Sequence, residues 1–278
     1  MWELLMVILF VLICVLIFFL TPYSRFRAEF GKITTDRIAK APQYTDVFSE
    51  EDLRDLPIPV QKYFRYCGYL GTPKMSYMKA SFRNVDFRLT DEKKIKIDYT
   101  QYNFVEKPER FAYIDSSFFG VPFEGLDSYG NGVGSMKGSL AKLFTLFDQR
   151  GEAMDQACLV TFLAESMLIP NAVLQDYITW EEIDENHAKA IINYYGTSGS
   201  GIFTFADNGA LKSFRTADRL STDMDGSVRK AEWSATFDDY QEENSIKKPR
   251  KLQAIWHFPE GDLIYFNENK ADIIMEFH

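Results

Sequence analysis

Past Met75 the chain alternates apolar and polar residues in one short stretch after another, and this alternation decides the class of fold. Ile95, Ile97 and Tyr99 alternate with Lys94, Lys96 and Asp98, the period of a strand with one face buried. Upstream, Met78, Ala80 and Phe82 share one phase while Val85, Phe87 and Leu89 take the other, so the spacing predicts a β-bulge near Asn84. Further along, "YITWEEID", "AKAIINYYG", "GIFTFADNGALKSF", "KAEWSATFDDY", "KLQAIWHFPEGDLIYF" and "ADIIMEF" read as strands, with turns at Asn208-Gly209 and from Pro259 to Gly261. Strands that follow one another without helices between them form an antiparallel meander. The missing βαβ alternation argues against a nucleotide-binding parallel sheet.

Helical period appears in three places. Ser49 and the acidic residues after it suit a helix start; Pro57 and Pro59 interrupt, and "VQKYFRYCGYL" then puts Val60, Tyr63, Phe64 and Cys67 on one face. In "GEAMDQACLVTFLAESMLIPNAVLQ" the apolar Cys158, Leu159, Phe162, Leu163 and Met167 recur at helical spacing, with Glu152 and Asp155 in the first turn, where the helix dipole favours acids. Pro170 starts a new short turn. Asp155 and Glu165 lie ten residues apart on this helix and read by default as a solvated face.

The third place is the N-terminus. Leu4 to Leu20 is an unbroken apolar run of 17 residues, which Met1 and Trp2 extend to the lower end of what crosses ~30 Å of hydrocarbon. A cleaved signal peptide needs a basic leader and a small-residue cleavage site, whereas this leader carries Glu3 and the run ends in "FFLTPY", so the reading is a retained single-pass anchor. Arg25, Arg27, Lys32, Arg37 and Lys40 follow the run and no Lys or Arg precedes it, a bias toward a cytoplasmic domain that leaves the orientation open to the opposite, outside placement. The segment "SRFRAEFGKITTDRIAKA" has two readings, a polar stalk or a helix lying along the headgroups with Phe26, Phe30, Ile33 and Ile38 among basic residues. The expected division is a transmembrane anchor over 1–21, a juxtamembrane stalk over 22–48 and a single domain over 49–278.

Several chemistries fit poorly. "DSYGNGVGSMKGS", Asp127 to Ser139, has the composition of a phosphate loop, but Lys137 precedes Gly138 where a P-loop has Gly before Lys, and Ser135 stands where a dinucleotide fingerprint needs its third glycine. These glycines are expected to allow a tight turn or the approach of another backbone. In the "SLAKLFTLFD" that follows, Leu140, Leu143, Phe144 and Phe147 are expected to pack. "STDMDGSVRKAE" mimics a calcium loop at Asp223, Asp225, Gly226 and Glu232, yet starts at Ser221 and lacks flanking helices, so it reads as an acidic hairpin turn. His187, His257 and His278 have no metal-ligand spacing, and His257 falls on a mixed sheet face. No nucleophile, acid or base cluster emerges, so no catalytic residue, metal or cofactor is assigned. A net charge of -9 argues against nucleic acid. Cys14 lies in the apolar run, leaving Cys67 and Cys158 as at most one disulfide pair.

The pieces "LPIPVQKYFRYCG", "DQACLVTFLAESMLIPNAVL" and "WEEIDENHAKA" together resemble an uncharacterised family of bacterial membrane-anchored proteins, over roughly residues 50 to 278. Pro57, Val60, Gln61 and Tyr63 match its first segment; Asp155, Glu165, Pro170, Ala172 and Leu174 its second; Trp180, Ile183 and Asp184 its third. The chain departs at Ala157, Cys158 and Thr161, where the resemblance leads one to expect Gly, Glu and Arg. The layout also resembles, more loosely, lipoprotein-carrier folds. That likeness implies an α+β domain in which a curved, half-barrel-like antiparallel β-sheet packs around one or two helices and leaves an apolar cavity.

With 24 Phe, 15 Tyr and 4 Trp, a bulged sheet of this kind suits a lipid or other apolar ligand, although a plain β core explains the aromatics too. The candidate ligand-binding residues are Phe162, Glu165, Trp180, Trp233 and Trp256, and the three tryptophans are also expected to be core. The alternative, from a different class, is a structural or interaction module at the membrane with no small ligand.

Overall fold

The computed structural model describes residues 1–88, 94–222, 226–268 and 273–278. Leu89 of the first strand, Asp223 and Asp225 of the calcium-like loop, and Ala271 and Asp272 before the last strand lie outside the described residues.

Four helices come first: α1 (Trp2–Leu20), α2 (Arg25–Lys40), α3 (Glu50–Leu53) and α4 (Ile58–Cys67). Six strands follow: β1 (Tyr77–Arg88), β2 (Lys94–Phe104), β3 (Glu109–Phe118), β4 (Val121–Gly130), β5 (Val133–Leu140) and β6 (Phe144–Gln149). Helix α5 (Glu152–Glu165) runs into two 3-10 turns, Ser166–Leu168 and Pro170–Leu174. The chain then forms β7 (Ile178–Asp184), β8 (His187–Tyr194), β9 (Thr197–Phe205), β10 (Leu211–Thr216), β11 (Leu220–Thr222) and β12 (Val228–Lys230). It ends in β13 (Glu232–Glu243), β14 (Ile246–Phe258), β15 (Gly261–Glu268) and β16 (Ile274–Phe277).

Among the described residues, fourteen strands make one antiparallel sheet in the order β6-β5-β4-β3-β2-β1-β15-β14-β13-β10-β9-β8-β7, with β16 also paired to β1. The sheet is not closed, and β6 and β7 are its edges. Strands β11 and β12 form a separate hairpin around the calcium-like stretch. The phase slip read from the sequence is a bulge between Phe82 and Val85, with Asn84 at φ 57°. It also marks a change of partner: Met78 to Ser81 pair with β16, and Asp86 and Phe87 with β15. β1 therefore joins an N-terminal meander to a C-terminal one.

The two arms curl toward each other around α5, which packs on both β5 and β9. Where they meet, the Asn131-Gly132 turn after β4 lies against Tyr195 of the turn after β8. A Cβ on Gly132 would come within 2.5 Å of the Tyr195 Cβ, and its φ of 80° independently favours glycine. Two residues on, a Cβ at Gly134 would stand 2.5 Å from the carbonyl oxygen of Met154, so this glycine lets α5 settle on β5. The glycine-rich stretch is thus a β-hairpin that another backbone approaches.

The helices form for local reasons. Ser49 and Asp52 make a reciprocal capping box at α3. Pro59 fits the first turn of α4, Gly68 closes it in the left-handed conformation, and Val60, Tyr63, Phe64 and Cys67 are buried on its inner face. In α5, Leu159, Phe162 and Leu163 are fully buried, and the core lies between these helices and the concave face of the sheet.

Residues 25–40 are not a free polar stalk, because they form a helix that packs on the sheet. Helix α2 packs on the opposite, convex face, where Phe26 joins Tyr113 and Leu126 in a second small cluster and Phe30 stacks on Tyr113 with ring centroids 5.8 Å apart. Burying one such side chain contributes ~1.5–3 kcal/mol. The exposed Arg27–Asp115 pair contributes ~0–1 kcal/mol, so apolar contact holds α2 in place more than charge does. Helix α1 buries none of its residues, and its length and composition suffice to cross a membrane. In "SLAKLFTLFD", Leu140 and Phe147 pack, but Leu143 and Phe144 are exposed, because the chain turns there into the edge strand β6.

Candidate functional site

Between α5 and the concave face lies a cavity of about 470 Å³, within the range in which proteins hold small molecules. Strand alternation builds its walls. On β3, Arg110 and Ile114 point into it while Tyr113 points out to α2. Phe82 and Tyr99 come from β1 and β2, Phe123 and Asp127 from β4. Helix α5 supplies Ala157, Cys158, Thr161 and Glu165, so the three positions at which the chain departs from the resemblance all face the cavity.

One side of the cavity is polar and closed by a network. Arg110, 4% exposed, donates Nε to Glu165 Oε2 at 2.8 Å, Nη1 to Asp127 Oδ2 at 2.6 Å, and Nη2 to the Tyr99 hydroxyl. Glu165 Oε2 also accepts from Asn103 Nδ2 at 2.9 Å and Gln101 Nε2 at 3.1 Å. Burial by itself would lower the Arg110 guanidinium, but Asp127, Glu165 and Tyr99 hold it well above its ordinary value. Its charge is therefore fixed, and shared between two carboxylates. Beside it, burial and then the charge of Asp127 push the Cys158 thiol up, which favours its protonated form.

The C-terminal arm lines the cavity differently. Trp233 on β13 and Trp256 on β14 are directly paired across the two strands. The Arg219 guanidinium carbon lies 4.6 Å from the centroid of the first ring and 5.0 Å from that of the second. The Tyr265 hydroxyl accepts from Arg219 Nη1 and from Trp233 Nε1, each at 3.0 Å. Among the described residues no carboxylate pairs with Arg219, and its buried Nε has no hydrogen-bond partner. A guanidinium lying over two aromatic rings, beside apolar walls and, among the described residues, without a carboxylate on it, can receive an anionic or strongly polar group.

Of the residues singled out in the sequence, Glu165, Trp233 and Trp256 line the cavity. Phe162 instead packs against Tyr177, with centroids 6.1 Å apart. Trp180 is half-buried, lies 5.4 Å from Phe203 between centroids and donates Nε1 to the Val173 carbonyl at 3.1 Å. The solvated face expected for Asp155 and Glu165 does not exist: Glu165 turns into the network, and Asp155 Oδ1 accepts from Gly134 N–H at 2.6 Å. Cys67 and Cys158 are free and buried apart, and burial pushes the Cys67 thiol up to about 12. His257 bridges Ser234 and Asp262 at 2.8 Å each on the outer sheet face. Among the described residues no three His, Cys, Asp or Glu side chains are placed to share a metal ion.

Sequence reasoning missed Gln101, Asn103, Arg110, Asp127 and Arg219. A signal for two of them was present: Gln101 and Asn103 continue the inward phase of Ile97 and Tyr99, where polar residues need buried partners.

Two solved structures are similar in fold. A LolA superfamily protein from Nitrosomonas europaea is 8% identical, with a TM-score of 0.40 over 79% of this chain and 93% of its own. An outer membrane lipoprotein-sorting protein domain from Vibrio parahaemolyticus is 11% identical, with a TM-score of 0.38 over 73% of this chain and 84% of its own. No curated protein matches the chain. The model of the Family of unknown function (DUF6544) matches residues 46–268, and the chain belongs to that family.

Proposed function

We propose that the domain binds a lipid or similar amphiphile in the cavity, and that α1 holds it at a membrane as a single-pass anchor. The observation that carries this reading is Arg219 lying over the paired Trp233 and Trp256, set in a largely apolar cavity of about 470 Å³. Apolar walls take a hydrocarbon chain, and the guanidinium takes its polar or anionic head. On the opposite wall Glu165 and Asp127 share the single positive charge of Arg110, which lowers, without cancelling, the repulsion that such a head would meet there. The basic residues after α1 favour a cytoplasmic domain.

The test uses the full chain purified in detergent. Its organic extract is analysed by mass spectrometry, and tryptophan emission is followed while fatty acids and phospholipids are titrated in. Recovery of a defined lipid, or saturable change in emission, is expected. An empty extract together with flat titrations for every lipid class would overturn the reading.

A further inference from the structure

The turn after β3 and the turn after β5 lie side by side at one end of the sheet, where Ala141 N–H donates to the Pro122 carbonyl at 2.7 Å. Between them they expose Phe119, Leu143 and Phe144, which are 95%, 68% and 65% accessible, with Leu146 next to them on the edge strand. Elsewhere exposed apolar residues such as Ile183, between Glu182 and Asp184, and Val228, between Ser227 and Arg229, stand singly and need no explanation. A contiguous apolar patch with a basic residue in it marks a surface that is covered in use.

Helix α1 indicates what covers it. Lys142, one residue before Leu143, donates Nζ to the carbonyl oxygens of Phe18 and Phe19 at 3.2 Å each, so the apolar turns begin where the apolar helix ends. Helix α2 is docked from the same end, since its first-turn Arg27 pairs with Asp115 near the end of β3. Pairing of Phe144 with Leu140 and of Phe147 with Gly138 puts both phenylalanines on one face of β6, and Phe147 lines the cavity.

We propose that this end of the sheet dips into the surface of the bilayer crossed by α1, with Phe119, Leu143 and Phe144 among the upper acyl chains and the cavity wall at β6 abutting lipid. The inference rests on the reading of α1 as a membrane span. Phenylalanine and leucine below a lysine match the headgroup and acyl boundary, which accepts apolar side chains under a snorkelling cation. The docked patch adjoins the cavity wall, so an amphiphile has an approach from the membrane that does not lead through water.

The test reconstitutes the full chain in phosphatidylcholine and phosphatidylglycerol vesicles containing brominated phosphatidylcholine, which quenches fluorophores within the bilayer. A thiol fluorophore is placed on Phe119→Cys, on Leu143→Cys, or on Tyr195→Cys at the opposite end of the sheet, each with Cys14→Ser. A fourth sample carries the label on native Cys14. Cys67 and Cys158 are buried and stay unlabelled. Loss of emission at 119 and 143 but not at 195 is expected. Quenching at Cys14 with none at 119 and 143 overturns the proposal, keeps the anchor and leaves the patch to a protein partner. Quenching at 119 and 143 without Cys14 keeps the docking and rejects the span. No quenching at any position rejects both.

Discussion

Arg110 and Glu165 face each other across the cavity wall, a strand residue and the last residue of α5 joined by a 2.8 Å bond from Nε to Oε2. The contact ties the N-terminal arm of the sheet to the helix around which both arms curl. Without Glu165 the Arg110 guanidinium keeps Asp127, but the buried amides of Gln101 and Asn103 lose an acceptor, and leaving a buried donor unsatisfied costs ~1–3 kcal/mol. Glu165→Ala is therefore expected to lower the unfolding free energy by ~1–3 kcal/mol, and Glu165→Gln by less, since the amide still accepts hydrogen bonds. Chemical denaturation of the two variants measures the difference. Equal midpoints for both variants and the parent would show that the network contributes little.

The tryptophan pair carries a second expectation. Trp233 and Trp256 are buried and Trp180 is half-buried, so alanine at either of the first two positions should cost ~3–5 kcal/mol and alanine at 180 less. The order of the three denaturation midpoints is the readout, and Trp180→Ala falling lowest would contradict it.

If Arg219 receives the head of an amphiphile, Arg219→Gln should weaken binding without unfolding the domain. A hydrogen bond to a charged group contributes ~1.5–3 kcal/mol, so affinity should drop roughly tenfold or more. Titration of a fluorescent fatty acid into both proteins, with far-ultraviolet circular dichroism as the control for folding, measures the loss. Unchanged affinity in a folded variant would move the head elsewhere.

Alkaline pH should destabilise the domain through its buried thiols and phenols. Burial pushes Cys67 up to about 12 from an ordinary 9.0, so below the lower value both folded and unfolded chains hold the proton and the contribution is intact. Above it the unfolded chain releases a proton that the folded chain keeps, and stability falls as pH rises toward 12. Burial raises Tyr63 and Tyr69 as well, adding a loss of the same sign above the ordinary tyrosine range. Denaturation midpoints followed from about pH 8 to about pH 10 should decline less steeply in Cys67→Ala than in the parent. Parallel slopes would remove the thiol from the account.

Membrane orientation needs an exposed reporter, because Cys67 and Cys158 are too buried to react in the folded protein. Tyr195, 65% accessible in the turn after β8, provides one. With Tyr195→Cys in intact cells, a membrane-impermeant thiol reagent is expected to label only after lysis, as the basic residues following α1 imply. Labelling before lysis would place the domain outside.

What the sequence disclosed was whatever depends on period and local chemistry. The Asn84 bulge shows as a change of phase between Phe82 and Val85, and α5 shows as recurring Cys158, Leu159, Phe162 and Leu163. Strand β5 was harder to see because Gly134 and Gly138 leave gaps in its pattern, and those gaps exist for Met154 and the ring of Phe147, partners visible only once the chain is folded. The same holds for Arg110. All six residues from Glu109 to Ile114 are buried, so no alternation reveals which way the guanidinium points, and its three partners come from β2, β4 and α5. Arg219 lies in a connection between strands, where no repeat places a side chain, and its tryptophans are fourteen and thirty-seven residues further on.

One edge of β1 is completed by β15 and β16, strands made some 170 to 200 residues after it. While the chain leaves the ribosome, the first meander can assemble on the β2 side and α5 can settle against β5, but Met78 to Ser81 must wait with their backbone groups unpaired. Pairing over such a separation closes slowly, and an open strand edge invites strands from other chains in the meantime. Assembly of the sheet then becomes a matter of timing, with β15 and β16 setting the moment at which the two meanders are joined along β1.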